Sequence, residues 1–185
     1  QRFQTNDGYR SKFKQKIPLI NKSNTLTNSY DYKTYSEWLN ENIASFGFYI
    51  VSTNSLSGKN VKVSDRLFLP SSKLRGFEAG KIGPKDGKEF VGGNYIMAMN
   101  LKTTLPQVLP SFQNIDFSLF LDAANVWGTD YSSTLDNGGK IRSSAGVAVD
   151  FFTPIGPLNF SLSEVITKDK TDVVESFRFN LGTTF

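Results

Sequence analysis

Covalent chemistry has few candidate side chains in this sequence. The 185 residues include no cysteine and no histidine. That removes disulfides, thiolate metal sites, Ser-His-Asp and Cys-His nucleophile systems and nearly all zinc chemistry. Paired carboxylates remain for acid–base work, but no catalytic residue, metal site or cofactor is expected. What stands out instead is a guanidinium in Leu74-Arg75-Gly76-Phe77, inside the long connecting stretch Val63–Val91. The planar fork of arginine makes two parallel bonds to a carboxylate, which is chemistry that positions a loop. A glycine next to it allows a tight backbone where a side chain would obstruct.

The elements that must position such a loop are strands. Hydrophobic residues recur at every second position, clearest in the last segment, where Phe177, Phe179, Leu181, Thr183 and Phe185 share one face. Ser176, Arg178, Asn180, Gly182 and Thr184 share the other, so one greasy and one polar face follow. The same alternation sets Tyr9, Phe13, Ile17 and Leu19 against Arg10, Lys12, Lys14 and Lys16, and runs through Phe46, Phe48 and Ile50. Met97, Met99, Leu101 and Leu105 oppose Asn94, Asn100 and Lys102; Phe117, Leu119 and Leu121 oppose Asp116, Ser118 and Asp122. Val147, Val149 and Phe151 oppose Arg142, Ser144 and Asp150; Leu158, Phe160 and Leu162 oppose Asn159, Ser161 and Ser163. Around Tyr30, Tyr32, Tyr35 and Trp38 a strand is expected, although Ser36–Asn42 also fits a helical turn. The total is about eight strands of membrane-crossing length. Short separators such as Thr153–Pro157 alternate with longer polar ones such as Gly128–Lys140, as turns and loops do on the two sides of a membrane barrel. No linker or low-complexity stretch divides residues 1–185, so a single domain is expected.

No run of about 18 apolar residues exists, so a membrane helix is excluded, while a barrel, whose strands are greasy only at alternate positions, is compatible with the mean hydropathy of −0.30. Alternation alone also fits a soluble β-sandwich. Membrane residence is favoured by 16 phenylalanines and seven tyrosines and by the terminal Phe185, the usual end of bacterial outer-membrane barrels. The net charge of +4 comes from scattered lysines and arginines with no recognition helix, which argues against nucleic acid and suits a basic lumen or rim near anionic lipid. The first ten residues are not a signal peptide, so an outer-membrane protein with this start would be mature or a fragment.

In order along the chain, several motifs resemble those of the BamA-like outer-membrane assembly factors, part of the bacterial surface antigen superfamily. Leu74-Arg75-Gly76-Phe77 resembles the family's (V/L)RG(F/Y) loop motif, and Ile82-Gly83-Pro84 and Gly92-Gly93-Asn94 follow it. FSLFLDAANVWG, from Phe117 to Gly128, resembles the strand written F-x-D-x-G-x-x-W. The hairpin from Ser143 to Leu162 and the closing strand FRFNLGTTF also match, and Asn6-Asp7-Gly8-Tyr9-Arg10 resembles the strand start P-x-DG-x-R. The resemblance implies an all-β, antiparallel transmembrane β-barrel whose eight strands here are the C-terminal half of a sixteen-stranded one. It also implies periplasmic modules outside this chain, and a closing strand that pairs with the absent first strand at a seam that opens laterally.

By the same resemblance the chain folds and inserts client proteins into the outer membrane of a Gram-negative bacterium. Its partners would be unfolded outer-membrane proteins, accessory lipoproteins reached through the periplasmic part, outer-membrane lipid and lipopolysaccharide. Asp122, on the polar face of its strand and matching the family's aspartate, is the expected partner of Arg75. Exposed, such a pair contributes roughly 0–1 kcal/mol; partly buried and bidentate, several-fold more. One departure is Lys102, where relatives place a glutamate: a second carboxylate for Arg75 is lost, and Asp116 or Asp150 would have to compensate. Trp127 reads as an interface aromatic, Gly146 and Gly182 as relief of crowding or sites of kinking, and Lys12, Lys14 and Lys16 as solvated lumen charge. Two other functions fit less well: a two-partner-type secretion transporter of the same superfamily, with a similar loop motif, and a small passive pore.

Overall fold

A computed structural model describes residues 7–18, 24–38, 41–108, 111, 114–135, 139–154 and 156–181. Eight long strands carry the fold: β1 (Gly8–Lys16), β2 (Thr25–Trp38), β3 (Asn42–Ser55), β4 (Tyr95–Thr104), β5 (Ile115–Trp127), β6 (Arg142–Thr153), β7 (Gly156–Thr167) and β8 (Phe177–Leu181). Each pairs antiparallel with its neighbours in sequence, so one sheet runs from β1 to β8 in chain order. Among the described residues no ladder joins β1 to β8. The strand at Tyr30–Trp38 is continuous, so Ser36–Trp38 are strand and not part of the helical turn that Ser36–Asn42 also allowed; β3 starts at Asn42, and residues 39 and 40 lie outside the described ones. Its fourteen residues pair with β3 without a break from Thr25 to Trp38, and that ladder outweighs the weak local preference for a turn. Leu19, Thr183, Gly182, Phe185 and Asn6 lie outside the described residues.

The distribution of burial separates the membrane reading from the soluble one. In strands paired on both sides, Leu119 and Leu121 are each 43% exposed and Leu162 is 58% exposed. The opposite face of the sheet buries Asp122 on β5 and Asp150 and Arg142 on β6 completely, at 0%. A water-soluble sheet does the reverse, because large apolar side chains leave water at about 25 cal/mol per Å² and ionised groups resist leaving it. A greasy outside around a polar inside is stable where hydrocarbon is the outer solvent.

The inner face is not uniformly wet, as alternation alone implied. Near the loop end of β4 and β5 it is apolar, with Ile96 and Val126 at 1% exposure. The stretch between β3 and β4 folds over this patch and packs Leu69, Leu74, Phe77 and Ile82 against it. Further along the same strands the inner positions turn polar, through Asn100, Lys102, Asp122 and Ser118. The outer face meanwhile stacks rings, as where Phe160 on β7 meets Phe179 on β8 at 4.9 Å and Phe151 on β6 at 5.6 Å between centroids. Tyr35 pairs with Gly8 and Ser45 and lines the inner face beside Arg10 and Lys33.

Candidate functional site

The loop from β3 to β4 carries Arg75 to the middle of the inner wall. Its Nε donates to Asp122 Oδ2 at 2.7 Å and its Nη2 to Oδ1 at 2.7 Å, a bidentate fork on a carboxylate that is 0% exposed. The Arg75 backbone N–H donates to the same Oδ2 at 3.1 Å, and Asn100 Nδ2 donates to Oδ1 at 2.9 Å. Asp122 therefore receives four bonds from two residues. The guanidinium also lies over the ring of Phe120, 3.5 Å from its centroid, a geometry that adds about 1–2 kcal/mol where water is excluded. Phe120 has room because Gly146 on β6 faces it: a Cβ there would meet the Phe120 ring at 2.7 Å and the Leu162 carbonyl oxygen at 2.1 Å. So Gly146 relieves crowding, as its position suggested, and does so beneath the arginine.

Gly76 has φ +86° and sits against β6 and β7, where a Cβ would be 3.0 Å from that of Ser144 and 3.3 Å from that of Ser163. An L side chain at that φ is strained, and here it is also crowded. Ser144 Oγ donates to the Arg75 carbonyl at 2.5 Å. Phe77 is buried in the apolar patch under the loop. Gly76-Phe77 then forms a two-residue ladder with Val174-Glu175, in the connection between β7 and β8. The structure thus brings Leu74, Arg75, Gly76, Phe77 and Asp122 together. Phe177, Phe179 and Leu181 lie apart from them, exposed on the outer face of β8.

Lys102 stands at the inner face as its parity requires, but it does not oppose Arg75. Its Nζ lies 2.6 Å from Asp150 Oδ2, and Asn159 donates to the other oxygen. Asp150 thus compensates the lysine itself, not Arg75. Other anchors were passed over in the sequence. Arg178, on the last strand, donates from Nη1 to the carbonyls of Ser71 (2.6 Å) and Leu74 (3.3 Å) and from Nη2 to that of Phe77. Arg142 makes a bidentate pair with Asp172, at 2.8 and 3.1 Å, holding the β7–β8 connection against β5 and β6. Parity had placed Arg178 and Arg142 on the inner face; nothing in spacing showed that they reach loop carbonyls and a loop carboxylate. For Phe120 a signal existed, as a bulky ring on an otherwise polar face. Trp127 stands at the loop end of β5 with its ring 5.7 Å from that of Tyr95.

These features define a class: part of a membrane-spanning β-barrel whose inner wall is plugged by an arginine-anchored loop. The Omp85 superfamily domain matches over residues 1–185, and the chain belongs to that family. It is 30% identical over 141 residues, 60% of this chain, to the outer membrane protein assembly factor BamA of Neisseria meningitidis serogroup B. A SAM50-like protein of Schizosaccharomyces pombe is 35% identical over 148 residues, 74% of this chain. The crystal structure of BamA from Haemophilus ducreyi lacking POTRA domains 1-3 superposes with a TM-score of 0.84 at 26% identity, over 94% of this chain. The chain spans 17% and 30% of the length of the two relatives and 38% of the crystallised chain. The eight strands are thus part of a larger antiparallel transmembrane barrel, integral to an outer membrane.

Proposed function

We propose that this chain is the C-terminal half of the barrel of an outer-membrane protein assembly factor, which folds and inserts client barrels into the outer membrane of a Gram-negative bacterium. The observation that carries the reading is the buried, bidentate Arg75–Asp122 hook, seated on the inner wall of an Omp85 barrel. The names of the Neisseria and Haemophilus relatives agree with it. The activity needs no covalent catalysis, nucleotide or cofactor. Its physical basis is backbone pairing: in the longer barrel the edge of β8 away from β7, which carries no ladder among the described residues, would meet a first strand outside this chain, and an incoming strand can add at that seam. Accessory lipoproteins would bind through periplasmic modules outside this sequence, and lipid and lipopolysaccharide would contact the outer face and rim.

Replacing Arg75 with Ala in the full-length parent, in cells depleted of the wild-type protein, tests the proposal. The expected outcome is a fall in folded outer-membrane barrels of many kinds. Unchanged growth and client levels would reject it. Loss of one exported protein alone would move the chain to the secretion transporters of the superfamily, and steady conductance from the reconstituted protein without client defects would make it a passive pore.

A further inference from the structure

Among the described residues β8 has the shortest ladder of the eight long strands. Its described ladder covers five residues, Phe177–Leu181 against Leu158–Leu162, and among the described residues lies on one side only. Phe177, Phe179 and Leu181 turn outward, where they gain little beyond hydrocarbon and the ring of Phe160. What fastens β8 inward is Arg178, 7% exposed, whose guanidinium donates to the carbonyls of Ser71, Leu74 and Phe77 and pairs with Glu175 at 2.9 Å. Those three carbonyls bracket Arg75 and Gly76. Ser163 on β7 still donates its N–H to the Ser176 carbonyl at 2.8 Å, but the residues before it turn to the loop: Val174 and Glu175 pair with Phe77 and Gly76, and Glu78 donates its N–H to the Val173 carbonyl at 2.9 Å.

We infer that Arg178 is a positioning residue through which the seat of the Arg75 loop and the pairing of the last strand depend on each other. Each half of the contact is unfavourable without the other. Withdrawing Arg178 strips donors from loop carbonyls inside the wall, and each buried group left unpaired is penalised. Withdrawing the loop leaves a guanidinium in the wall with the half-exposed carboxylate of Glu175 as its ion-pair partner. An arginine suits the task because its donors are fixed in one plane and reach several acceptors at once, whereas an ammonium presents a single point. Displacing β8 at its edge therefore loosens the hook, and unseating the hook frays β8. That this coupling serves client insertion rests on the assembly reading above; the coupling itself does not.

Hydrogen–deuterium exchange on the full-length protein in lipid nanodiscs tests it without reference to clients. Arg178→Ala should speed exchange in both segments 71–78 and 177–181 by at least about tenfold, as expected when a charged hydrogen bond is removed from a unit that opens locally. Asp122→Asn, which weakens the loop from its far side, should also speed exchange in 177–181. Arg178→Lys should restore part of the protection in both segments, and carries the measurement with Asp122→Asn if Arg178→Ala does not fold. Faster exchange in 177–181 with 71–78 unchanged would overturn the inference, as would an Asp122→Asn protein whose loop is loosened while β8 stays protected. A protein with coupled exchange but normal client assembly would keep the inference and remove the function proposed for the chain.

Discussion

The two flanks of the inner wall are built differently. On the β4–β8 flank three carboxylates are buried and matched, Asp122 with Arg75, Asp150 with Lys102 and Asp172 with Arg142, while Glu175, paired with Arg178, is half-exposed. On the β1–β2 flank Lys12, Lys14 and Lys16 are exposed, and a cavity of about 290 Å³ is lined by Arg10, Lys33, Lys73, Arg75 and Lys102 with Asp31 as its one carboxylate. The loop makes the difference. It supplies a second layer over β4 to β8, water leaves, and charges there must find partners. Toward β1 it ends in a single ion pair, Lys73 to Asp31 at 3.0 Å, and charge remains solvated. Pairing on this wall is a result of covering, since the strands are chemically similar on both flanks.

Substitutions should sort by flank, and unfolding midpoints of the full-length protein in detergent micelles measure them. Asp122→Ala should have the largest effect, about 3–5 kcal/mol, because it leaves Arg75 charged and buried without its carboxylate. A loss below about 1 kcal/mol would mean that water reaches the hook and that the two flanks are alike. Gly76→Ala should cost about 1–3 kcal/mol through its left-handed φ and the nearness of Ser144. Should it prove neutral, the loop would have freedom to shift away from β6, and the second layer would be looser than the packing indicates. Lys12→Ala should change stability by no more than about 0.5 kcal/mol, as for an exposed surface residue. A large loss there would show the β1 flank to be covered as well.

Much of this architecture could be read from spacing. Period-two alternation located seven of the strands, and less well the one at Tyr30–Trp38, because one face of each meets a different solvent from the other and the two-residue repeat records that difference directly. The Arg75–Asp122 contact was legible only through the motif, since the two positions are 47 residues apart and nothing local joins them. Lys102 illustrates the limit. Its parity put it on the right face, but its partner depends on strand register: Lys102 lies opposite Phe120 on β5, and Asp150 reaches it from β6. Arg178 fell short for a related reason, as its acceptors are backbone carbonyls, and a carbonyl has no signature in sequence. The apolar patch of Ile96 and Val126 was visible as letters. Its meaning required knowing that Leu74 and Phe77 come down on it.

The inverted distribution of side chains, greasy outward and ionic inward, has a consequence for how such a chain can reach its native state. In water, hydrophobic collapse would draw Leu119, Leu162 and Phe179 into a centre that the finished molecule reserves for Asp122, Asp150 and Arg142. The force that condenses ordinary domains therefore favours the wrong topology until hydrocarbon is within reach. Partition into a bilayer has to accompany strand pairing, and the ion pairs can only lock once the wall has shut out water. Folding and insertion are for this chain one transition, with the lipid acting as a reactant.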